Sequence, residues 1–190
     1  RMLGTCHPQS VALVGNRPVC FNVQNGTIGY YTDGGVQILS DDGMRAEFLQ
    51  IANLLQTGDR VVAAYDSLYN EYTITLRDRR GNGYKSYTYS FNEGVKGWSM
   101  ELRYYPNSIS GTQYGLTSYV DSTGIMYKHN QGAIGTFYGN FIPAEVTIVF
   151  NDNAGQQKTH NVLSIETVYE DITTGDVWQA ATKGDVWGNH

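Results

Sequence analysis

The sequence predicts an all-β protein of antiparallel strands, grouped as the blades of an incomplete propeller, with one short helix. Three observations carry that prediction. Short runs rich in Val, Ile, Thr and Tyr recur along the chain and are cut by Gly, Asn and Asp, the composition of strands and turns. In Tyr72-Thr73-Ile74-Thr75-Leu76-Arg77 apolar and polar residues alternate, the period of a half-buried strand. The runs also fall into three groups, residues 10–40, 60–103 and 116–168, close to the roughly 40–50-residue period of four-stranded propeller blades.

The first group holds strands at Val11 to Val14, Val19 to Val23, Thr27 to Tyr31 and Val36 to Leu39. Asn16, Asn25-Gly26 and Asp33-Gly34-Gly35 separate them, residues that accept the positive φ of hairpin turns. Between Asp41 and Gly58 the period changes: Met44, Phe48, Ile51 and Leu55 recur at three to four residues, a helical spacing. Asp41 or Asp42 is the expected cap and Gly58 the expected stop. The second group places strands at Arg60 to Tyr65, Tyr72 to Arg77, Tyr84 to Phe91 and Trp98 to Arg103. The third places them at Leu116 to Val120, Ile125 to His129, Val146 to Phe150 and Asn161 to Val168. Three such units fall short of the usual four-blade minimum of a closed ring. Either a longer chain completes the ring or the units pack as a sandwich, and the incomplete propeller is the reading preferred.

The 190 residues suit one β domain, and Arg1 where an initiator Met would stand suggests a piece of a longer product. Charged residues make up 16% of the chain, below the quarter or so usual in soluble domains, while 15 residues are Tyr. Both features suit surfaces that meet neighbours, and strand propensity alone also favours Tyr. A net charge of −5 and a pI near 5.2 argue against nucleic-acid binding, which draws on clustered Lys and Arg. The one such cluster, Arg77, Arg79 and Arg80, reads as a solvated loop tip. No apolar run of about 18 residues is present, so no membrane insertion is expected. Cys6 and Cys20 are read as free buried thiols, since a core of this size needs no bridge.

Several ordered segments resemble the tail nozzle, muzzle or stabilisation proteins of tailed bacteriophages, of the crAss-like and marine phage type. His7-Pro8-Gln9-Ser10-Val11 through Gly15-Asn16 is similar to that family's blade opening. Gly35 through Met44 looks like its following strand, Ser-x-Asp-Gly turn and helix. Ala64-Tyr65-Asp66 with Asn70-Glu71-Tyr72 resembles its tight hairpin. Phe91-Asn92-Glu93-Gly94-Val95-Lys96-Gly97-Trp98-Ser99, followed by Pro106, resembles the turn that closes a blade. Gly124 to Asn130, Phe137-Tyr138-Gly139, Val149-Phe150-Asn151 and Lys158 continue the series. Members of the family are several times longer. The resemblance implies a structural virion component of the tail, made in the host cytoplasm, that helps retain and release DNA. Its implied partners are other tail proteins and copies of itself, commonly in a six-fold ring. Phe91, Trp98, Tyr65 and Tyr138 are the implied turn and core residues. Asn92, Gly94 and Gly97 can take turn conformations closed to β-branched residues, and Trp98 beyond them is expected to be mostly buried.

Nothing in the sequence calls for catalysis, a cofactor or a metal. His7, His129, His160 and His190 are scattered, with no spacing that would hold zinc, and His129 reads as a hydrogen-bonding residue at a strand end. Glycan hydrolysis needs two carboxylates about 5 to 9 Å apart, and Glu71, Glu93, Glu101, Asp121 and Glu145 qualify by type alone. Asn151-Asp152-Asn153-Ala154-Gly155 lacks the spacing of a calcium loop and reads as a hairpin turn. The alternative function is a carbohydrate-binding β-module, for which the adjacent pairs Tyr30-Tyr31 and Tyr104-Tyr105 would offer stacking surfaces.

Overall fold

The computed structural model of the chain describes residues 3–55, 59–77 and 86–143, together with the backbone of 164–170 and 177–183. Its contacts divide it into two compact units, Arg1–Ala144 and Glu145–His190, where the sequence suggested a single domain. Antiparallel sheet dominates and one α-helix is present among the described residues, so the all-β class holds.

In the first unit a 3-10 turn at Pro8–Ser10 leads into a four-stranded meander of β1 (Ala12–Val14), β2 (Arg17–Asn22), β3 (Thr27–Thr32) and β4 (Gly35–Ile38). Helix α1 (Arg45–Leu54) follows. A second meander consists of β5 (Arg60–Asp66), β6 (Glu71–Arg77), β7 (Tyr87–Asn92) and β8 (Gly97–Leu102). The third sheet has β9 (Ser108–Thr112), β10 (Gly115–Val120) and β11 (Ile125–Lys128), with β10 in the middle. A small hairpin of β12 (Thr136–Phe137) and β13 (Asn140–Phe141) closes the unit. In the second unit β14 (Ser164–Glu170) pairs with β15 (Val177–Lys183) over seven residues each.

Registers assign every side chain to a face. Val61, Ala63, Tyr72, Ile74, Leu76, Tyr89 and Phe91 of the second sheet bury against Val14, Val19, Phe21, Ile28 and Tyr30 of the first, with Phe48 and Ile51 of α1 completing that core. The opposite face of the second sheet carries the cross-strand rows Val62-Thr75-Thr88 and Ala64-Thr73-Ser90. Val62 and Ala64 there form a second core with Ile109 and Leu116 of the third sheet. The second sheet is therefore a middle layer. Its leading strand β5 packs beside both β1 and β9, while residues of the last strands β4 and β8 are largely exposed or only partly covered.

Four expectations need correction. The helix begins at Arg45 with Met44 as its cap residue and no side-chain capping bond. Asp41 instead pairs with Arg45 at 2.6 Å, because a turn ending at Gly43 (φ +83°) carries the chain past the cap position. Gly58 lies outside the described residues. The third group has an unforeseen strand, β9, whose Ser-Ile-Ser-Gly-Thr composition hides it. An added Cβ at Gly111 would overlap the Tyr65 carbonyl, so the strand needs a small residue there to approach β5. Val146 to Phe150 and Asn161 to Leu163 fall outside the described residues, and the strand that begins at Ser164 pairs with β15. Arg77 is no loop-tip residue: it ends β6 and donates to the Tyr105 carbonyl at 2.9 Å and to Asn107 Oδ1. Finally, the cysteines are free, yet Cys6 is exposed and Cys20 only partly covered.

Candidate functional site

Two clusters join the sheets of the first unit, and the sequence-predicted residues divide between them. Tyr65, Tyr72, Phe91 and Trp98 form one row across all four strands of the second sheet. Phe91 is buried. Trp98 is only partly buried, less than the sequence suggested, because β8 is the exposed last strand. Its ring lies 4.8 Å from that of Phe48 and 5.4 Å from that of Phe91, and its Nε1 donates to the Leu39 carbonyl at 3.1 Å. The indole thus ties β8 to the chain entering α1, with its polar atom satisfied as a half-buried Trp requires.

At the other end of that row a polar chain crosses between the first and second sheets. Tyr65 donates to Glu93 Oε2 at 3.0 Å, and Glu93 Oε1 accepts from Arg17 at 2.7 Å. Arg17 also donates to the Tyr30 hydroxyl at 3.0 Å and lies over the Tyr30 ring, while that hydroxyl donates to Gln37 at 2.8 Å. Burial, with the Glu93 hydrogen bond and charge adding to it, pushes the Tyr65 phenol above its ordinary value and so suppresses its ionisation. Arg17 is a bridging position that sequence reading missed, since nothing near it in the chain signals a partner 76 residues away. The turn geometry also differs from expectation. Asn92 does organise it, its Oδ1 accepting from the amides of Gly94 and Val95 at 2.8 and 3.2 Å. The left-handed residue, however, is Lys96 at φ +53°.

Tyr138 belongs to the second cluster, under the third sheet. The β12–β13 turn is Tyr138-Gly139, both at positive φ, a two-residue hairpin geometry that favours Asn-Gly over a bulky residue. The Tyr138 ring meets those of Tyr104, Tyr127 and His129 edge-on, and its hydroxyl lies 2.8 Å from Ser118 Oγ. His129 Nε2 is 2.7 Å from the same Ser118 oxygen, and its ring packs 4.8 Å from Tyr104. Burial pushes the His129 imidazole below its usual value, opposed in part by the charge of Asp66. Burial likewise pushes Tyr138 up to about 12. As expected, His129 follows a strand end and bonds there, its amide donating to Leu116 at 2.9 Å.

Three of the candidate carboxylates are engaged with neutral or cationic partners. Glu71 accepts from Ser90 and Asn92, Asp121 accepts from Asn107 at 2.6 Å, and Glu93 is paired as described. Glu145 and the Asn151–Gly155 run lie outside the described residues. Among the described residues no three His, Cys, Asp or Glu side chains gather as a metal site, and no helix is long and apolar enough to cross a membrane. The adjacent tyrosines split by face: Tyr30 and Tyr104 are buried while Tyr31 and Tyr105 are exposed, so neither pair makes a stacking platform. A groove of about 440 Å³ runs along the three leading strands, past Val11, Leu13, Ala63, Ser108 and Ser110. No family model and no curated protein matches the chain.

Proposed function

We propose that the chain is a non-enzymatic structural piece of a tailed-phage virion, a blade-bearing part of the tail nozzle or its ring that helps retain DNA and then release it. The observation that supports this reading is the order of the sheets: β1, β5 and β9, each the leading strand of its sheet, lie side by side, and apolar faces fill the space between successive sheets. Blades arranged around an axis have that order. The turns carrying the family resemblance also bear weight in the packing, as Glu93 and Trp98 each tie the second sheet to the first sheet or to the chain leaving it. Its partners are then other tail proteins and further copies, in the virion. Labelling the chain with a small epitope and imaging purified virions by cryo-EM tests the proposal. Density for the label on the tail is the expected result, and virions lacking the chain overturn it.

A further inference from the structure

A groove of about 540 Å³ runs between the first turn of α1 and strand β8. Met44 and Glu47 line one side of it, Trp98, Met100 and Glu101 the other, and the nearly covered ring of Tyr89 joins them. All of its lining belongs to the first unit. The rings of Tyr89 and Trp98 stand at 86° with centroids 6.5 Å apart. They form a corner, which encloses a compact group more closely than it supports a flat sugar ring. Met44 is partly buried and Met100 is 44% exposed, so two flexible thioether side chains complete the apolar lining.

The charge of the groove is one-sided, since Glu47 and Glu101 line it and, among the described residues, no Lys, Arg or His does. Both carboxylates bear on Tyr89. Glu47 Oε1 accepts from its hydroxyl at 3.2 Å, and burial, reinforced by the charges of Glu47 and Glu101, holds the phenol above its ordinary value. Glu101 is exposed, and among the described residues its side chain has no hydrogen-bond or ion-pair partner. Arg45, next to Met44 in the chain, is paired with Asp41 at 2.6 Å. The start of α1 brings about half a positive charge, less than the two carboxylates oppose to it.

We propose that this groove binds an alkylammonium group, seated against the Trp98 ring with its N–H bonds directed to the carboxylates of Glu101 and Glu47. An indole is the side-chain ring that attracts a cation most strongly, and a hydrogen bond from an ammonium to a carboxylate is stronger than one between neutral groups. The methylenes of the ligand lie along Met44 and Met100, as the stems of long cationic side chains lie along apolar surface. A neutral ligand would leave both charges unused. Alkylammonium groups occur in free polyamines and in the lysine side chains of proteins, and the groove reads the chemistry the two share. The proposal is independent of the virion reading.

The experiment is an NMR titration of the isotope-labelled 190-residue chain, following the indole N–H signal of Trp98, which is assigned by its loss in Trp98→Phe. The probes are butylammonium, its neutral counterpart butanol, and methyl glucoside, all at matched ionic strength. Butylammonium is expected to give a saturable shift and to bind more tightly than either neutral probe. Glu101→Gln is expected to weaken butylammonium about two- to fivefold, the worth of one exposed ion pair. Glu47→Gln combined with Glu101→Gln is expected to remove the preference over butanol while the amide signals away from the groove stay in place. Spermidine binding more tightly than butylammonium identifies a free polyamine as the source of the group. A blocked Ala-Lys-Ala peptide doing so identifies a protein side chain, and either result supports the site. The absence of a saturable shift with butylammonium overturns the proposal, as does equal binding of butanol or methyl glucoside, or a preference for the cation that survives in the double variant.

Discussion

Trp98 is met by the rings of Phe48 and Phe91 and by the Leu39 carbonyl, so its replacement removes several contacts at once. Trp98→Ala should cost about 2–4 kcal/mol, below the full value for a buried aromatic because one edge of the ring is open. Trp98→Phe should keep the ring packing and lose about 1 kcal/mol with the hydrogen bond. Thermal melts of the three forms check the order, and an Ala variant melting with the parent would show that the indole does not hold β8. Lys96 offers the opposite case. An L-residue at φ +53° sits where glycine is at ease, so Lys96→Gly should stabilise the chain by about 0.5–1 kcal/mol, read as a raised denaturation midpoint. Phe91 and Trp98 were legible because a large aromatic beside a turn has few other uses. Arg17 and Lys96 were not, because a long-range ion pair and a left-handed lysine leave no pattern in the neighbouring residues.

Among elements, strands with alternating or β-branched runs were found within a residue or two, as for β5, β6 and β10. Of the strands that escaped, which include β12, β13 and β15, β9 has Ile109 as its only large apolar residue and owes its place to Gly111 against the Tyr65 carbonyl. Gly111→Val should therefore force β9 off β5 at a cost of about 1–3 kcal/mol. Its signature is a lower melting point together with a changed near-ultraviolet dichroism from the Tyr104 cluster. An unchanged spectrum and melt would remove the close approach from the account. The β12–β13 hairpin packs over His129, and this gives the element a pH dependence. The folded value of His129 is lowered from 6.5 by burial, so the unfolded chain binds protons more readily than the folded one. Stability is then complete above about pH 6.5 and falls as the pH drops below it. His7, lowered by burial and partly raised by Asp59, acts in the same direction. Melting temperatures measured across that range should decline on acidification, and His129→Gln should flatten the decline without abolishing it. A slope identical to the parent's would exclude His129 as a contributor.

At the scale of the whole molecule, local hairpins were legible and the stacking of sheets was not, since the turns name adjacent strands while nothing in the sequence says which faces meet. The helix period was visible in Phe48 and Ile51, but their burial between two sheets emerges only once both sheets are in place. In each of the first three sheets every hydrogen-bonded neighbour is also the neighbour in sequence. Contacts of that kind close short loops, which form quickly, whereas contacts between sheets must wait for longer stretches of chain. Each meander can thus pair its strands as soon as it leaves the ribosome, one sheet at a time from the amino end. The apolar face of the first sheet stays uncovered until the second has been synthesised. During that interval the nascent chain is at its most prone to aggregate, and a chaperone would bind there first.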